Sequence, residues 1–171
     1  MTKLNLFIHK LTHWEYWPYQ VVYLPVYFQY LYYVVRTRSF FYFNASNPTI
    51  KNGGFFMESK KEIYDLIPPQ YYPKTILIQP NDDFETILQR INSENIQFPL
   101  IAKPDIGLRG TAVKKIHNVE ELENYLKKAK FNILLQDLIP YENEIGLFYV
   151  KLPNQLGKIT GIVSKEFMIL T

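Results

Sequence analysis

The sequence contains no cysteine, which excludes disulfide bonds, thiolate zinc sites and cysteine nucleophiles. It contains only three histidines, His9, His13 and His117, and their spacing is not that of metal ligands. An excess of charge of one sign is also lacking, because the net charge of +3 comes from lysines that are interspersed with acids. We therefore expect no nucleic-acid partner.

The chain also lacks a secretory signal and a well-formed membrane span. Residues 1–9 have no basic start, apolar middle and cleavage site, so the cytoplasm is the simplest predicted location. Residues 16–35 carry no formal charge and have the length of a span, but Pro18 and Pro25 interrupt them and tyrosine supplies most of their bulk. We expect a buried aromatic helix pair in this stretch and no membrane span.

The composition is that of a globular protein. Its 171 residues, 47% hydrophobic and 20% charged, suffice for one domain or for two small subdomains that share a cleft. Aromatic residues make up 16% of the chain and crowd into its first third. This predicts an aromatic helical region at 1–55, with a helix over 14–43 that breaks near Pro25.

Beyond residue 55 the hydrophobic pattern predicts alternating helices and strands. Helices are expected at 60–67, at 82–92 and after Asn118, which forms a capping box with Glu121. Strands are expected at 75–79, 99–103, 112–116, 132–138, 144–152 and 158–167, with a hairpin turn at 154–157 between the last two. The fold class is therefore α/β (α+β), with a small α/β subdomain at about 70–130 and the start of a second, antiparallel subdomain at 131–171.

A lysine and a glycine loop stand at the end of one predicted strand. Lys103 ends the strand, and the loop over 104–110 contains Gly107 and Gly110. An ammonium group beside free backbone N–H groups is what a polyphosphate needs. The alternative is a hairpin with a solvated lysine, but a lysine charge at the end of a buried strand is costly without a partner.

The next predicted strand ends in a proline-terminated segment, Leu-Gln-Asp-Leu-Ile-Pro at 135–140, and Glu144 follows it. Backbone N–H and C=O groups at such a strand end can pair with adenine. A carboxylate a few residues later can accept hydrogen bonds from ribose hydroxyls. Glu142 competes with Glu144 for this role, because we expect both on the same strand face.

In their order along the chain these segments resemble the ATP-grasp superfamily, on the branch that includes D-alanine-D-alanine ligase. The resemblance spans about residues 56–167 and has three parts: Ser59-Lys60 with Pro73-Lys74-Thr75, the Lys103 strand with its glycine loop, and the stretch from Gln136 to Glu144. The aromatic opening of the chain also resembles that of a group of bacterial ATP-grasp proteins. The resemblance implies that ATP binds between the two subdomains.

The resemblance also implies roles for individual residues. Phosphate contacts are implied for Lys60, Lys103 and the phosphate-covering loop with Gly107 and Gly110. Adenine contacts are implied for backbone atoms of Gln136 and Leu138, a ribose contact for Glu144, and a place near the γ-phosphate for Lys165. Arg109 stands where many ligases have small residues, so it either touches phosphate or is a solvated loop cation. Lys60 has an ordinary surface lysine as its alternative.

The family binds two magnesium ions through two acids and an asparagine late in the domain. After Glu144 the only carboxylate side chain is Glu166, and the chain ends within an apolar run at 167–171. We therefore expect a truncated domain: the ATP-binding portion of an ATP-dependent carboxylate-amine ligase that acts through an acylphosphate. Mg²⁺ is expected only in the full-length protein, this chain alone is expected to be inactive, and no catalytic residue is assignable.

Two other functions compete with the ligase. The first is a non-catalytic nucleotide-binding or protein-interaction module. The second is a membrane-surface protein that uses the tyrosine-rich segment as an interfacial anchor. As partners we expect ATP, a carboxylate substrate that the sequence does not identify and, through the aromatic region, a second copy of the chain.

Overall fold

A computed structural model describes residues 3–55, 57–107 and 110–165. The chain divides into two compact units, Met1–Leu66 and Ile67–Thr171. The first unit is helical, and all the described strands lie in the second. The helices are α1 (Lys3–Thr12), α2 (Tyr19–Val22), α3 (Leu24–Thr37), α4 (Lys60–Asp65), α5 (Phe84–Ser93) and α6 (Val119–Leu126). The strands are β1 (Thr75–Ile78), β2 (Leu100–Pro104), β3 (Lys114–Ile116), β4 (Ile133–Asp137), β5 (Glu144–Val150) and β6 (Lys158–Lys165).

The first unit divides its aromatic sequence among several short helices. The expected extent of the predicted helix, 14–43, is wrong at both ends, because Trp14–Tyr16 forms a 3-10 turn and α3 ends at Thr37, with α2 as a separate short helix before it. The break at Tyr23 confirms the one expected near Pro25, and a further break lies at Pro18. Pro25 occupies the first turn of α3, where its missing N–H costs nothing. Among the described residues no helix is long and apolar enough to cross a membrane.

One side of α3 packs against the segment that follows it. The ring of Tyr30 lies 5.6 Å from that of Tyr42. Gly53 closes this packing, since a Cβ there would lie 2.6 Å from the carbonyl oxygen of Phe43, and its φ of +62° suits glycine. Val34 is nevertheless the only residue of α3 that is buried. The expected burial of an aromatic helix pair is therefore wrong within this chain.

The second unit is built on a four-stranded antiparallel sheet in the order β1-β4-β2-β3. Strand β4 pairs with both β1 and β2, so Gln136 lies opposite Thr75 on one side and Ile101 on the other. The sequence division near residue 130 assigns β4 to a second subdomain. The strand pairing instead places β4 inside the sheet of the first subdomain. Four of the five residues of β4 are buried and need neighbours on both faces.

One face of this sheet and the helices α5 and α6 form the hydrophobic core. Both helices begin with a capping side chain: Asp83 accepts from the Thr86 N–H at 3.1 Å, and Asn118 from the Glu121 N–H at 2.9 Å. The Asn118 cap is confirmed, although Glu121 accepts from the N–H of His117 rather than from that of Asn118. The buried cluster comprises Ile76, Ile78, Ile87, Ile91, Ile96, Leu100, Ala102, Ile116, Leu122, Ile133 and Leu135.

Strands β5 and β6 form a separate two-stranded hairpin with a register shift between Phe148 and Tyr149. The predicted turn at 154–157 lies within its connection. The predicted strand over 158–167 is confirmed as far as Lys165, and residues 166 and 167 lie outside the described residues. The other predicted strands and the helices at 60–67, 82–92 and after Asn118 are confirmed, with small shifts at their ends.

Candidate functional site

The face of the four-stranded sheet that is turned away from the core carries polar side chains on three adjacent strands. Alternation along the strands places Thr75 of β1, Gln136 of β4 and Lys103 of β2 on this face, while Ile76, Leu135 and Ala102 beside them belong to the core. Lys103 lies opposite Leu134, so Gln136 is its diagonal neighbour, within reach of a long side chain. Strand order, not nearness in sequence, brings the three residues together.

A row of hydrogen bonds links these side chains. Lys103 Nζ donates to Gln136 Oε1 at 2.6 Å, and Gln136 Nε2 donates to Thr75 Oγ1 at 3.1 Å. The hydroxyl of Thr75 donates in turn to the carbonyl oxygen of Pro73 at 2.7 Å. The direction of the row is set by chemistry, because an ammonium group only donates and must therefore meet the amide oxygen. Gln136 is 7% exposed, so a buried amide orients the half-buried ammonium of Lys103.

The loop that follows β2 is anchored at its root. Asp105 is 3% exposed, and its N–H donates to the carbonyl oxygen of Asn132 at 2.9 Å. This bond fixes the point at which the chain leaves the sheet, two residues beyond Lys103. Sequence reasoning did not single out Asp105. A carboxyl group next to the end of a buried strand could have drawn attention to it, because burying such a group is costly unless it is hydrogen-bonded or paired.

The glycines of this loop are accessible. Gly107 and Gly110 are both exposed. Gly110 has a φ of +70°, and apart from its two chain neighbours no described residue has an atom within 4 Å of the place where a Cβ would stand. A ligand could therefore approach the backbone closely at Gly110. Arg109, the other predicted contact in this loop, lies outside the described residues.

The far end of the loop is tied to helix α6. The hydroxyl of Tyr125 donates to the carbonyl oxygen of Ala112 at 2.7 Å, and Ala112 has a φ of +58°, which is uncommon for a residue with a side chain. Burial raises the pKa of Tyr125 above its usual value of 10.0. Tyr125 was missed by sequence reasoning, although its spacing from Leu122 puts it on the inner side of α6. It lines a depression of about 320 Å³ with Lys114, Asn124, Lys128 and Phe131.

Replacing Tyr125 with phenylalanine should loosen this tie and lower the free energy of unfolding by about 0.5–1.5 kcal/mol near neutral pH. The raised pKa means that the folded chain keeps the phenol proton at a pH where the unfolded chain has lost it. This contribution is therefore complete below about pH 10 and is lost as the pH rises through the folded pKa. Urea unfolding at about pH 8 and about pH 11 should show the difference between the two chains shrinking at the higher pH.

The matched control for this experiment is Tyr141→Phe, because Tyr141 is 81% exposed. It should change the free energy of unfolding at neither pH. If Tyr125→Phe lowers the free energy of unfolding equally at both pH values, the pKa of Tyr125 does not differ between the folded and the unfolded chain.

The backbone of Gln136 is directed at neighbouring strands. Gln136 lies opposite Thr75 and Ile101, and a paired residue of an antiparallel sheet turns its N–H and C=O toward a neighbour. This differs from the predicted adenine contact through the backbone atoms of Gln136, whose side chain enters the hydrogen-bond row instead. Leu138 follows the last paired residue of β4. It lines a depression of about 360 Å³ with Lys74, Asn95, Gln97, Phe98, Pro99 and Asp137.

The hairpin brings two predicted site residues into contact with each other. Glu144 and Lys165 lie opposite in register, and their side chains form an ion pair. With side-chain exposures of 49% and 56%, such a pair contributes about 0–1 kcal/mol, so a charged ligand could replace either partner. Glu142, expected on the same strand face as Glu144, lies before β5 begins.

Lys60 belongs to the first unit, where it opens helix α4. Ser59 accepts from the N–H of Glu62 at 3.1 Å, which confirms the predicted cap of this helix. The next lysine, Lys61, forms an ion pair with Asp65 within the same helix. The phosphate contact of Lys60 stays a prediction.

Two solved structures are similar to part of this chain. The crystal structure of D-alanine-D-alanine ligase from Helicobacter pylori matches with 16% identity and a TM-score of 0.48, over 65% of this chain and 36% of that one. That of D-alanine-D-alanine ligase from Bacillus anthracis matches with 14% identity and a TM-score of 0.36, over 66% of this chain and 41% of that one. The chain thus spans less than half the length of either ligase. No family model and no curated protein matches the sequence.

Proposed function

We propose that the second unit binds ATP, with the triphosphate held at the end of β2 by Lys103 and the glycine loop. The observation that supports this most is the row of hydrogen bonds that holds the Lys103 side chain against Gln136. A long cationic side chain that is ordered in advance loses less entropy when a ligand arrives. Lysine is a common phosphate ligand, and the backbone of a glycine turn offers further donors. The alternative of a solvated hairpin lysine does not account for a buried glutamine held against the ammonium.

A second cation stands on the same face of the sheet. Lys115 lies opposite Ile101, which precedes Lys103 by two residues on β2, so the side chains of Lys103 and Lys115 share a face. Lys114 has the opposite orientation and lines the depression beside Tyr125. We add Lys115 to the residues that would hold phosphate. Sequence reasoning missed it because its face depends on the register between β2 and β3.

The remaining contacts are proposed as the family resemblance implies. The phosphates would also meet Gly107, Arg109 and Gly110. Leu138 would lie beside the adenine ring, Glu144 would accept from the ribose, and Lys165 would lie near the γ-phosphate. Once ATP is bound, the ion pair between Glu144 and Lys165 would give way to these ligand contacts, at the small cost of an exposed pair.

In a longer protein we propose that this site serves a carboxylate-amine ligase. ATP would supply the phosphoryl group that activates a carboxylate as an acylphosphate for attack by an amine. Lys103 and Lys115 would neutralise the negative charge of the transferred group. Within residues 3–55, 57–107 and 110–165 no three Asp, Glu or His side chains are grouped to hold a metal, so we propose no ligands among them for the magnesium ions that the resemblance implies. ATP binding without turnover in that longer protein would identify a non-catalytic nucleotide-binding module instead.

The chain should bind ATP more tightly than ADP, and ADP more tightly than AMP. Each phosphate that is removed takes away hydrogen bonds to a charged group, at about 1.5–3 kcal/mol each, so each step should weaken binding by about tenfold or more. Isothermal titration calorimetry in a magnesium buffer measures the three affinities. AMP is the matched control, because it retains the adenine and the ribose.

Equal affinities for the three nucleotides would contradict the placement of the triphosphate beside Lys103. An absence of binding for all three would contradict the proposed function as a whole.

A further inference from the structure

The first unit exposes a continuous apolar stripe along α3. Residues at helical spacing on one side of this helix are each about half or more exposed: Leu24 51%, Phe28 66%, Leu31 55%, Tyr32 56% and Val35 78%. Helix α1 presents a similar row of exposed residues at spacings of three and four, comprising Leu4, Phe7, Ile8 and Leu11. Exposed apolar residues gathered in this way mark an interaction surface.

The opposite side of α3 is already used for packing inside the unit. Tyr30 and Tyr33 lie on that side, with their rings 5.6 Å from that of Tyr42. The hydroxyl of Tyr30 donates to the carbonyl oxygen of Phe40 at 2.7 Å. The stripe from Leu24 to Val35 is therefore the side of α3 turned away from the contacts of its own unit.

The stretch of sequence that contains the stripe carries charges of one sign. From Tyr16 to Met57 the sequence contains no Asp or Glu, whereas Arg36, Arg38 and Lys51 are cationic. Arg36 Nη1 donates to the hydroxyl of Tyr32 at 2.9 Å, which places a guanidinium group beside the stripe. The surface therefore combines exposed apolar side chains with positive charge.

We propose that this stripe docks on the surface of an anionic phospholipid bilayer, with α3 lying in the interfacial plane. Tyrosine and tryptophan prefer this region, because their rings are apolar while their O–H and N–H groups can bond to headgroups or water. The arginines find their counter-charges in the lipid phosphates. A second copy of the chain is a poorer fit, because the same surface on a partner would bring arginines and no acid between residues 16 and 57 to pair with them.

Binding can be followed with the chain's own fluorescence. Its two tryptophans, Trp14 and Trp17, both lie in this unit and are 63% and 42% exposed. Mixed with vesicles of phosphatidylcholine and phosphatidylglycerol, the chain should sediment with the lipid, and its tryptophan emission should shift to the blue. Vesicles of phosphatidylcholine alone should bind it more weakly, and added salt should reduce binding to the anionic vesicles.

Two sets of variants separate the apolar and the charged contributions. Phe28→Asp combined with Leu31→Asp should lower the partition into anionic vesicles by about tenfold or more. Arg36→Gln combined with Arg38→Gln should lower it by roughly tenfold and remove most of the preference for anionic lipid. The matched control is Tyr141→Asp combined with Leu156→Asp in the second unit, where both residues are strongly exposed, and it should leave the partition unchanged. Circular dichroism checks that each variant is folded.

Failure of the natural chain to sediment with anionic vesicles would overturn the proposal. A concentration-dependent dimer that Phe28→Asp with Leu31→Asp dissociates, in a chain without lipid binding, would assign the stripe to a second copy instead. Neither result depends on nucleotide binding. The proposal about ATP is tested by separate titrations of the whole chain, so either proposal can fail without the other.

Discussion

Replacing Lys103 with alanine should weaken ATP binding by about 10- to 100-fold, since a hydrogen bond to a charged group contributes roughly 1.5–3 kcal/mol. The loss should be large for ATP and ADP and small for AMP, because the ammonium is proposed to meet the phosphates. The fold should survive the change, since Lys103 is only half-buried and Gln136 keeps its hydrogen bond to Thr75. Calorimetry measures the affinity of Lys103→Ala for each of the three nucleotides.

The neighbouring lysines of β3 supply the control for this experiment. Lys114→Ala should leave the ATP affinity unchanged, because Lys114 stands on the side of the sheet that faces α6. Lys115→Ala removes the same charge from the face of Lys103 and should weaken binding by a few-fold, about what an exposed ion pair contributes. If Lys103→Ala binds ATP as tightly as the natural chain, the phosphates do not lie at the end of β2.

Local elements of the second unit could be predicted from the sequence because their causes are local. Asn118 caps α6 as its spacing to Glu121 predicts, and the apolar run after Ile133 forms a strand. The site itself could not be derived in this way. Lys103 and Gln136 are 33 residues apart, and Gln136 and Thr75 are 61 apart, so their contacts depend on a strand order that no local pattern contains.

The aromatic first unit shows where hydrophobic pattern misleads. A charge-free run such as 16–35 predicts burial, because exposed aromatic surface is unfavourable in water. Yet Phe28 is 66% exposed, as are comparable residues along α3. The pattern correctly identifies side chains that avoid water, but it does not tell whether the chain itself or another surface covers them. The same limit applies to Lys115. Its pairing with Ile101 on β2 decides on which face of the sheet its side chain lies, and the local sequence does not contain this pairing.

The second large effect is expected at Gln136, which should act as a positioning residue for Lys103. Gln136→Leu keeps a side chain of similar size but removes the hydrogen bonds that join the buried amide to Lys103 and to Thr75. We expect it to lower the free energy of unfolding by about 1–3 kcal/mol. It should also weaken ATP binding by about tenfold, because the ammonium then loses the amide oxygen that holds it in place before the ligand arrives. Urea unfolding and calorimetry on the same preparation measure the two effects.

A merely structural role for Gln136 is separated from positioning by Gln136→Glu. A carboxylate at this position forms an ion pair with Lys103, so the free energy of unfolding should stay close to that of the natural chain. ATP affinity should nevertheless fall by about tenfold, because the carboxylate competes with phosphate for the ammonium and repels the ligand. Thr75→Val removes only the far end of the row and should weaken ATP binding less than either change. If Gln136→Glu leaves the ATP affinity unchanged as well as the free energy of unfolding, the glutamine supports the sheet and does not orient the lysine.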